Sequence, residues 1–111
     1  MTNSKQKGKR FELFVAHLFQ SYGFPARRSQ QYCGSNGDAD VVGVDGVHIE
    51  CKANEHLNLY DAIKQSHSDA KPGEIPIVVH KKNNKPVLVT VEFNDFMELW
   101  KGGKNGQENN K

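Results

Sequence analysis

Two cysteines are all that this chain of 111 residues contains, and that scarcity excludes a disulfide scaffold. Cys33 and Cys51 are not spaced as paired metal ligands. They read as reduced thiols in a cytoplasmic protein. The histidines (His17, His48, His56, His67 and His80) also lack zinc-site spacing and read as ordinary surface or core residues. No run approaches the roughly 20 apolar residues of a membrane span, and the polar N-terminus does not read as a signal peptide. Internal repeats are absent. What remains is one globular domain over residues 1–101, too short to add a separate recognition module. Beyond it, Gly, Asn, Lys and Gln dominate residues 102–111, which read as a disordered tail.

Charge of one sign is also scarce overall, with a formal net charge of +2, but its distribution is uneven. Residues 1–28 hold Lys5, Lys7, Lys9, Arg10, Arg27 and Arg28 against Glu12 alone, a balance of +5 that leaves −3 for the rest. A basic first segment followed by an acidic remainder suits a protein acting on a polyanion, because phosphate contacts dominate such affinity. A lysine-rich solvated end gives the same composition.

The chemistry concentrates in Gly37-Asp38-Ala39-Asp40-Val41-Val42 and Ile49-Glu50-Cys51-Lys52. Between them Val44-Asp45-Gly46 carries an Asp-Gly turn signal. A two-residue loop would set Asp40 and Glu50 on opposite faces. A three-residue loop ending in a left-handed Gly46 pairs Asp40 with Glu50 and Asp38 with Lys52. In that register Asp38, Asp40, Val42, His48, Glu50 and Lys52 share one face, and Val41, Gly43, Val47, Ile49 and Cys51 share the other. Because side chains alternate along a strand, this separation of polar from apolar selects the second register.

A polar face of this kind can be solvent-washed, with ordinary cross-strand ion pairs. It can also be a cation site. Mg2+ favours one or two carboxylates with water and substrate phosphate oxygens, which suits Asp40 and Glu50. Such an ion stabilises charge on a phosphodiester and acidifies the attacking water. Lys52 is then placed to orient that water or offset the developing charge.

Around this hairpin the pattern predicts a helix over 7–22, with Phe11, Phe14, Val15, Leu18, Phe19 and Tyr22 as a core stripe ended by Gly23. Glu12 flanks the stripe, and Gly8 leaves room for a close approach. Residues 26–32 read as a polar strand entering the Gly34–Gly37 loop. A second helix over 58–70 is capped by Asn58 and closed by Pro72-Gly73. Its thin apolar face is Leu59, Ala62, Ile63, Ser66 and Ala70, with Gln65 pointing elsewhere. Strands over 75–81 and 86–92 follow, joined by a lysine-bearing tip, then a last helix capped by Asn94 and carrying Phe96, Leu99 and Trp100.

This order, with Asp40, Glu50 and Lys52 at the sheet, resembles the PD-(D/E)XK nuclease superfamily. Within it the chain is most similar to archaeal-type Holliday junction resolvases and their phage-borne relatives. The resemblance runs from about Lys7 to Trp100. It rests on Lys7-Gly8 with Glu12, Gly23-Phe24, Arg28-Ser29, Gly34-Ser35, Asp40-Val41-Val42-Gly43, Ile49-Glu50-Cys51-Lys52, Gln65 and Ile75–Lys81. Ala39 stands where the motif's name has proline, and the connection from Asp40 to Glu50 is shorter than in the archaeal enzymes. Asp38 competes with Asp40 as the motif aspartate; Asp40 is preferred because the apolar pair follows it and it faces Glu50.

The resemblance implies an α/β fold with a restriction-endonuclease-like core, a mixed central sheet flanked by helices in the order α-β-β-β-α-β-β-α. It implies a Mg2+-dependent endodeoxyribonuclease, prokaryotic or phage-encoded, that makes paired nicks in four-way DNA junctions; Mn2+ can substitute. Glu12, Asp40, Glu50 and Lys52 form the catalytic set, with Asp40, Glu50 and the Cys51 carbonyl on the metal. Lys9, Arg10, Arg28, Gln65 and Lys81 contact branched double-stranded DNA. Two coordinated cuts from a chain with one site imply a two-fold homodimer, with no role for a membrane. Two further readings stay open: a phage or mobile-element endonuclease acting on flap, nicked or duplex DNA, and a non-catalytic DNA-binding protein on a decayed nuclease fold.

Overall fold

The computed structural model describes residues 4–29 and 39–109. Its elements are α1 (Ser4–Ser21), β1 (Arg27–Arg28), β2 (Val41–Val42), β3 (Val47–Lys52), α2 (Leu59–Asp69), β4 (Ile75–His80), β5 (Leu88–Val91) and α3 (Phe93–Asn109). The strands form a mixed sheet in the order β1-β2-β3-β4-β5. Three pairings are antiparallel, and β3 with β4 is parallel. A parallel pair needs a crossover, and α2 supplies it. The chain is therefore an α/β domain with a five-stranded mixed sheet and three helices.

Alternation along β3 and β4 decides what each helix covers. Ile49, Cys51, Ile77 and Val79 turn one way and form the main core with Phe11, Val15 and Ala16 of α1, Ala26 and Val41. Val78 turns the other way and packs against Ala62 and Ile63 of α2. Ser66 is fully buried beneath α2, where its hydroxyl lies 3.4 Å from the Ile77 carbonyl and 3.5 Å from that of His48. A small side chain at this point lets α2 lie close on the sheet.

The hairpin register chosen from polarity is the one observed. Val41 faces Ile49 as that register requires, and Gly46 takes φ 87°; Asp40 itself precedes β2 and turns its N–H to the Ile49 carbonyl. The pairing of Asp38 with Lys52, the Gly34–Gly37 loop and Cys33 lie outside the described residues. Gly43 is needed for a different reason. It has φ 92°, and a Cβ there would run into the Pro25 carbonyl, a conformation and a contact that only glycine accommodates.

Several expectations change. His48 and Glu50 sit on the predicted polar face, yet they are only 1% and 6% exposed. α2 covers that face, so the solvent-washed alternative falls. In α1, Phe11 and Val15 are core, while Phe14 and Tyr22 are exposed, because the sheet is narrower than the apolar arc of the helix. Of the strand expected over 26–32, the described residues form β1 at Arg27–Arg28, and residues 30–32 lie outside them. The last helix begins at Phe93, so Asn94 lies in its first turn, and the Glu92 carbonyl accepts the Phe96 N–H at 2.8 Å. That helix continues to Asn109, through most of the segment that composition assigns to a tail. Among the described residues, no helix is long and apolar enough to cross a membrane.

Candidate active site

Asp40 is held before its side chain is considered. Its N–H donates to the Ile49 carbonyl at 2.8 Å, and its carbonyl accepts from Ser29 N–H at 2.9 Å. The carboxylate Oδ2 then accepts the Cys51 N–H at 2.8 Å. β2 starts only at Val41, so the Asp40 side chain takes the ladder position that a longer strand would fill. The Cys51 N–H and C=O project from the same edge of an extended strand. The Cys51 carbonyl is therefore directed to the Asp40 side. The next residue points oppositely: the Lys52 carbonyl accepts from Lys81 N–H at 3.1 Å, toward β4.

Glu50 is the buried member of the pair. Its carboxyl is raised from 4.5 to about 8, by burial first, then by the charge of Asp40 and a hydrogen bond with it. Asp69 adds to the rise and Lys52 opposes it. Without a cation, Glu50 keeps its proton at neutral pH and shares a hydrogen bond with Asp40, the usual solution for two carboxyls in one place. A divalent ion removes that conflict by replacing the proton. The donor set fits a hard cation: two carboxylates converge, and a backbone carbonyl is aimed to their side.

Glu12 enters from α1. Its carboxyl is also raised, by burial first and by Asp40 second, against the lowering effects of Arg28 and Lys9. Arg28 Nε donates to Glu12 Oε1 at 2.8 Å, which ties β1 to α1. The structure thus brings Glu12, Asp40 and Glu50 into one electrostatic cluster bordered by Lys9, Arg28 and Lys52. Burial and the same three carboxylates push the Cys51 thiol far up, so its sulfur is inert and its backbone is the useful part.

Other candidates sit farther out. Lys81 follows β4 beside Lys52, with its Nζ donating to the Lys82 carbonyl at 3.2 Å. Gln65 is exposed on α2, one turn before Asp69, and Arg10 is exposed on α1.

Two residues join the site without being assigned to it from sequence. His48 Nε2 lies 2.9 Å from Glu50 Oε1, and its Nδ1 lies 3.7 Å from Glu74 Oε1. His48, Glu50 and Asp69 each offer a ligand atom, all within 4.8 Å of one another. Strand alternation puts His48 on the Glu50 face, which is a signal in the sequence. Asp69 has none, since only the folded crossover helix carries it there.

The chain matches no protein-family model, and no curated protein is detectably similar to it.

Proposed function

We propose that this protein is a Mg2+-dependent endodeoxyribonuclease of PD-(D/E)XK type, built on a restriction-endonuclease-like core, that resolves four-way DNA junctions. The observation that carries this reading is the buried Glu50, held at about 8 beside Asp40, with the Cys51 backbone at the same edge. Two carboxyls forced together in a dry place are costly for a fold and useful for holding a cation. Lys52 on the next position supports hydrolytic chemistry over simple ion storage.

In this reading Asp40, Glu50 and the Cys51 carbonyl hold Mg2+. When bound, the ion supplies Lewis acidity toward the scissile phosphate and its attacking water. Lys52 orients that water and offsets charge on the phosphate oxygens. Glu12 fixes Arg28, whose remaining guanidinium donors face a phosphate. Lys9, Arg10 and Lys81 extend the cationic border along the DNA backbone, and Gln65 adds a neutral polar contact. His48 holds the Glu50 carboxyl in place. A reduced, buried Cys51 accords with a cytoplasmic protein. Paired cuts need two copies of the site, hence a homodimer.

The test is cleavage of a labelled synthetic four-way junction, with flap, nicked and linear duplexes alongside, in Mg2+ and in EDTA. Paired nicks on the junction alone, lost in Glu50→Ala, support the resolvase. Cutting of every substrate supports a general endonuclease. Binding without cutting in Mg2+ or Mn2+ overturns the enzyme reading and leaves a DNA-binding protein.

A further inference from the structure

Basic side chains collect at one end of the sheet. β3 and β4 run parallel with Lys52 beside His80, so both finish at that end. Antiparallel pairing sets Arg28 beside Val41 and Val41 beside Ile49, which brings Arg28 and Asp40 there too. Beyond the strands the chain stays in step. The Lys52 carbonyl accepts Lys81 N–H at 3.1 Å, and Glu55 Oε2 accepts Asn83 N–H at 2.6 Å. Asn83 belongs to the turn over 82–85, closed by Lys85 N–H donating to the Lys82 carbonyl at 3.2 Å, with Asn84 at φ 60°. Lys82 and Lys85 are exposed. Among the described residues, neither forms an ion pair.

We infer that the turn over 82–85 is a phosphate-binding point for the DNA backbone, held in place by Glu55. The DNA strand to be cut then crosses this end of the sheet from Arg28 to the turn. The inference deepens the nuclease reading and rests on it for the identity of the polyanion. Its main support is where Glu55 points. Lysines kept at a hairpin tip for solubility need no fixed backbone, yet the acid that reaches this turn binds a backbone N–H and leaves both lysines unpaired. A charge-assisted bond of this kind fixes geometry, while an exposed one adds little stability. Glu55 therefore acts through the turn, as a positioning residue. The second support is span. Strands lie about 4.8 Å apart, so β1 to β4 covers about 14 Å. At about 3.4 Å of rise per nucleotide, that is about four nucleotides of one DNA strand. Asp40, Glu50 and Lys52 lie within this span, with Arg28 to one side and Lys81, Lys82 and Lys85 to the other. Phosphates flanking the scissile one are gripped on both sides, which sets register without reading sequence.

The test is binding of the full chain to a labelled four-way junction in EDTA, followed by fluorescence anisotropy against salt. Lys82→Ala with Lys85→Ala is expected to lose about two units of salt slope and at least about tenfold in affinity at about 0.1 M salt. Lys71→Ala, which removes a lysine from the opposite end of the sheet, is expected to leave the slope unchanged. Glu55→Ala separates position from charge. Removing an acid beside DNA tightens binding by electrostatics alone, whereas loss of the held turn weakens it; a loss of at least about threefold is expected, with Glu55→Gln recovering most of it as a neutral acceptor. In Mg2+ the same variants are expected to raise KM and leave kcat near wild type. An unchanged slope in the double lysine variant, tighter binding by Glu55→Ala, an equal loss with Lys71→Ala, or a wild type that binds no DNA overturns the inference. A chain that shows this binding pattern and cuts nothing refutes the nuclease reading alone. One that resolves junctions while the double lysine variant binds like wild type refutes only the role of the turn.

Discussion

Replacing Glu50 with glutamine should remove a pH dependence of folding that the metal-free protein carries. In the folded state this carboxyl is raised from 4.5 to about 8. Between those values the folded chain holds a proton that the unfolded chain has released, so stability falls as pH rises through the window and levels off above it. At about 1.4 kcal/mol per pH unit, a shift from 4.5 to about 8 corresponds to a loss on the order of 5 kcal/mol. Glutamine resembles the protonated acid in shape, can donate to Asp40, and does not ionise. Urea unfolding in EDTA is the assay, at about pH 5, 7 and 9 to bracket the window. Wild type and Glu50→Gln should nearly coincide at the lowest pH, and the variant should be the more stable by several kcal/mol at the highest. Mg2+ should restore wild type at high pH, by about 1.4 kcal/mol when its concentration is ten times Kd, and leave the variant unmoved. Parallel stability curves would refute the picture of two carboxyls in conflict.

Asp40→Asn keeps an oxygen for the Cys51 N–H but removes the like charge. It should lower Mg2+-dependent cleavage by at least about a hundredfold, as removing a metal ligand does, while leaving metal-free stability unchanged or higher at pH 8; stopped-time gels and urea melts read the two effects. Gly43→Ala should cost at least about 2 kcal/mol, because alanine is strained at positive φ and its Cβ meets the Pro25 carbonyl; a thermal melt shows it. Arg28→Ala breaks an ion pair that is one-third exposed on the arginine side, so its effect on stability should stay under about 1 kcal/mol. Binding to junction DNA, measured by fluorescence anisotropy against salt, should weaken and lose about one unit of salt slope.

The hairpin was legible in the sequence because two independent signals agree on it. Alternation of polar and apolar residues selects the register, and Gly46 supplies the left-handed residue that its loop needs. α2 was legible for a similar reason: Asn58 caps it, its side chain accepting the Asp61 N–H at 3.1 Å, and Ala62, Ile63 and Ser66 mark the inner face. What alternation cannot say is which element lies over a face. That is why the polar residues His48 and Glu50 did not announce their burial, and why Asp69 arrived at Glu50 unannounced. The aromatic stripe of α1 was read too widely, since helical periodicity gives the direction of a face but not the width of the sheet beneath it. For α3 the tail composition argued against a helix, which nevertheless runs on to Asn109.

The central claim is that a divalent cation sits between Asp40 and Glu50. Anomalous diffraction from crystals of the full chain soaked in Mn2+ tests it most directly, because Mn2+ accepts the same oxygen ligands and can be located by its own signal. The account predicts a peak coordinated by Asp40, Glu50 and the Cys51 carbonyl, absent in Glu50→Gln. A peak held instead by His48 and Asp69, or no peak near Glu50 at all, would contradict it.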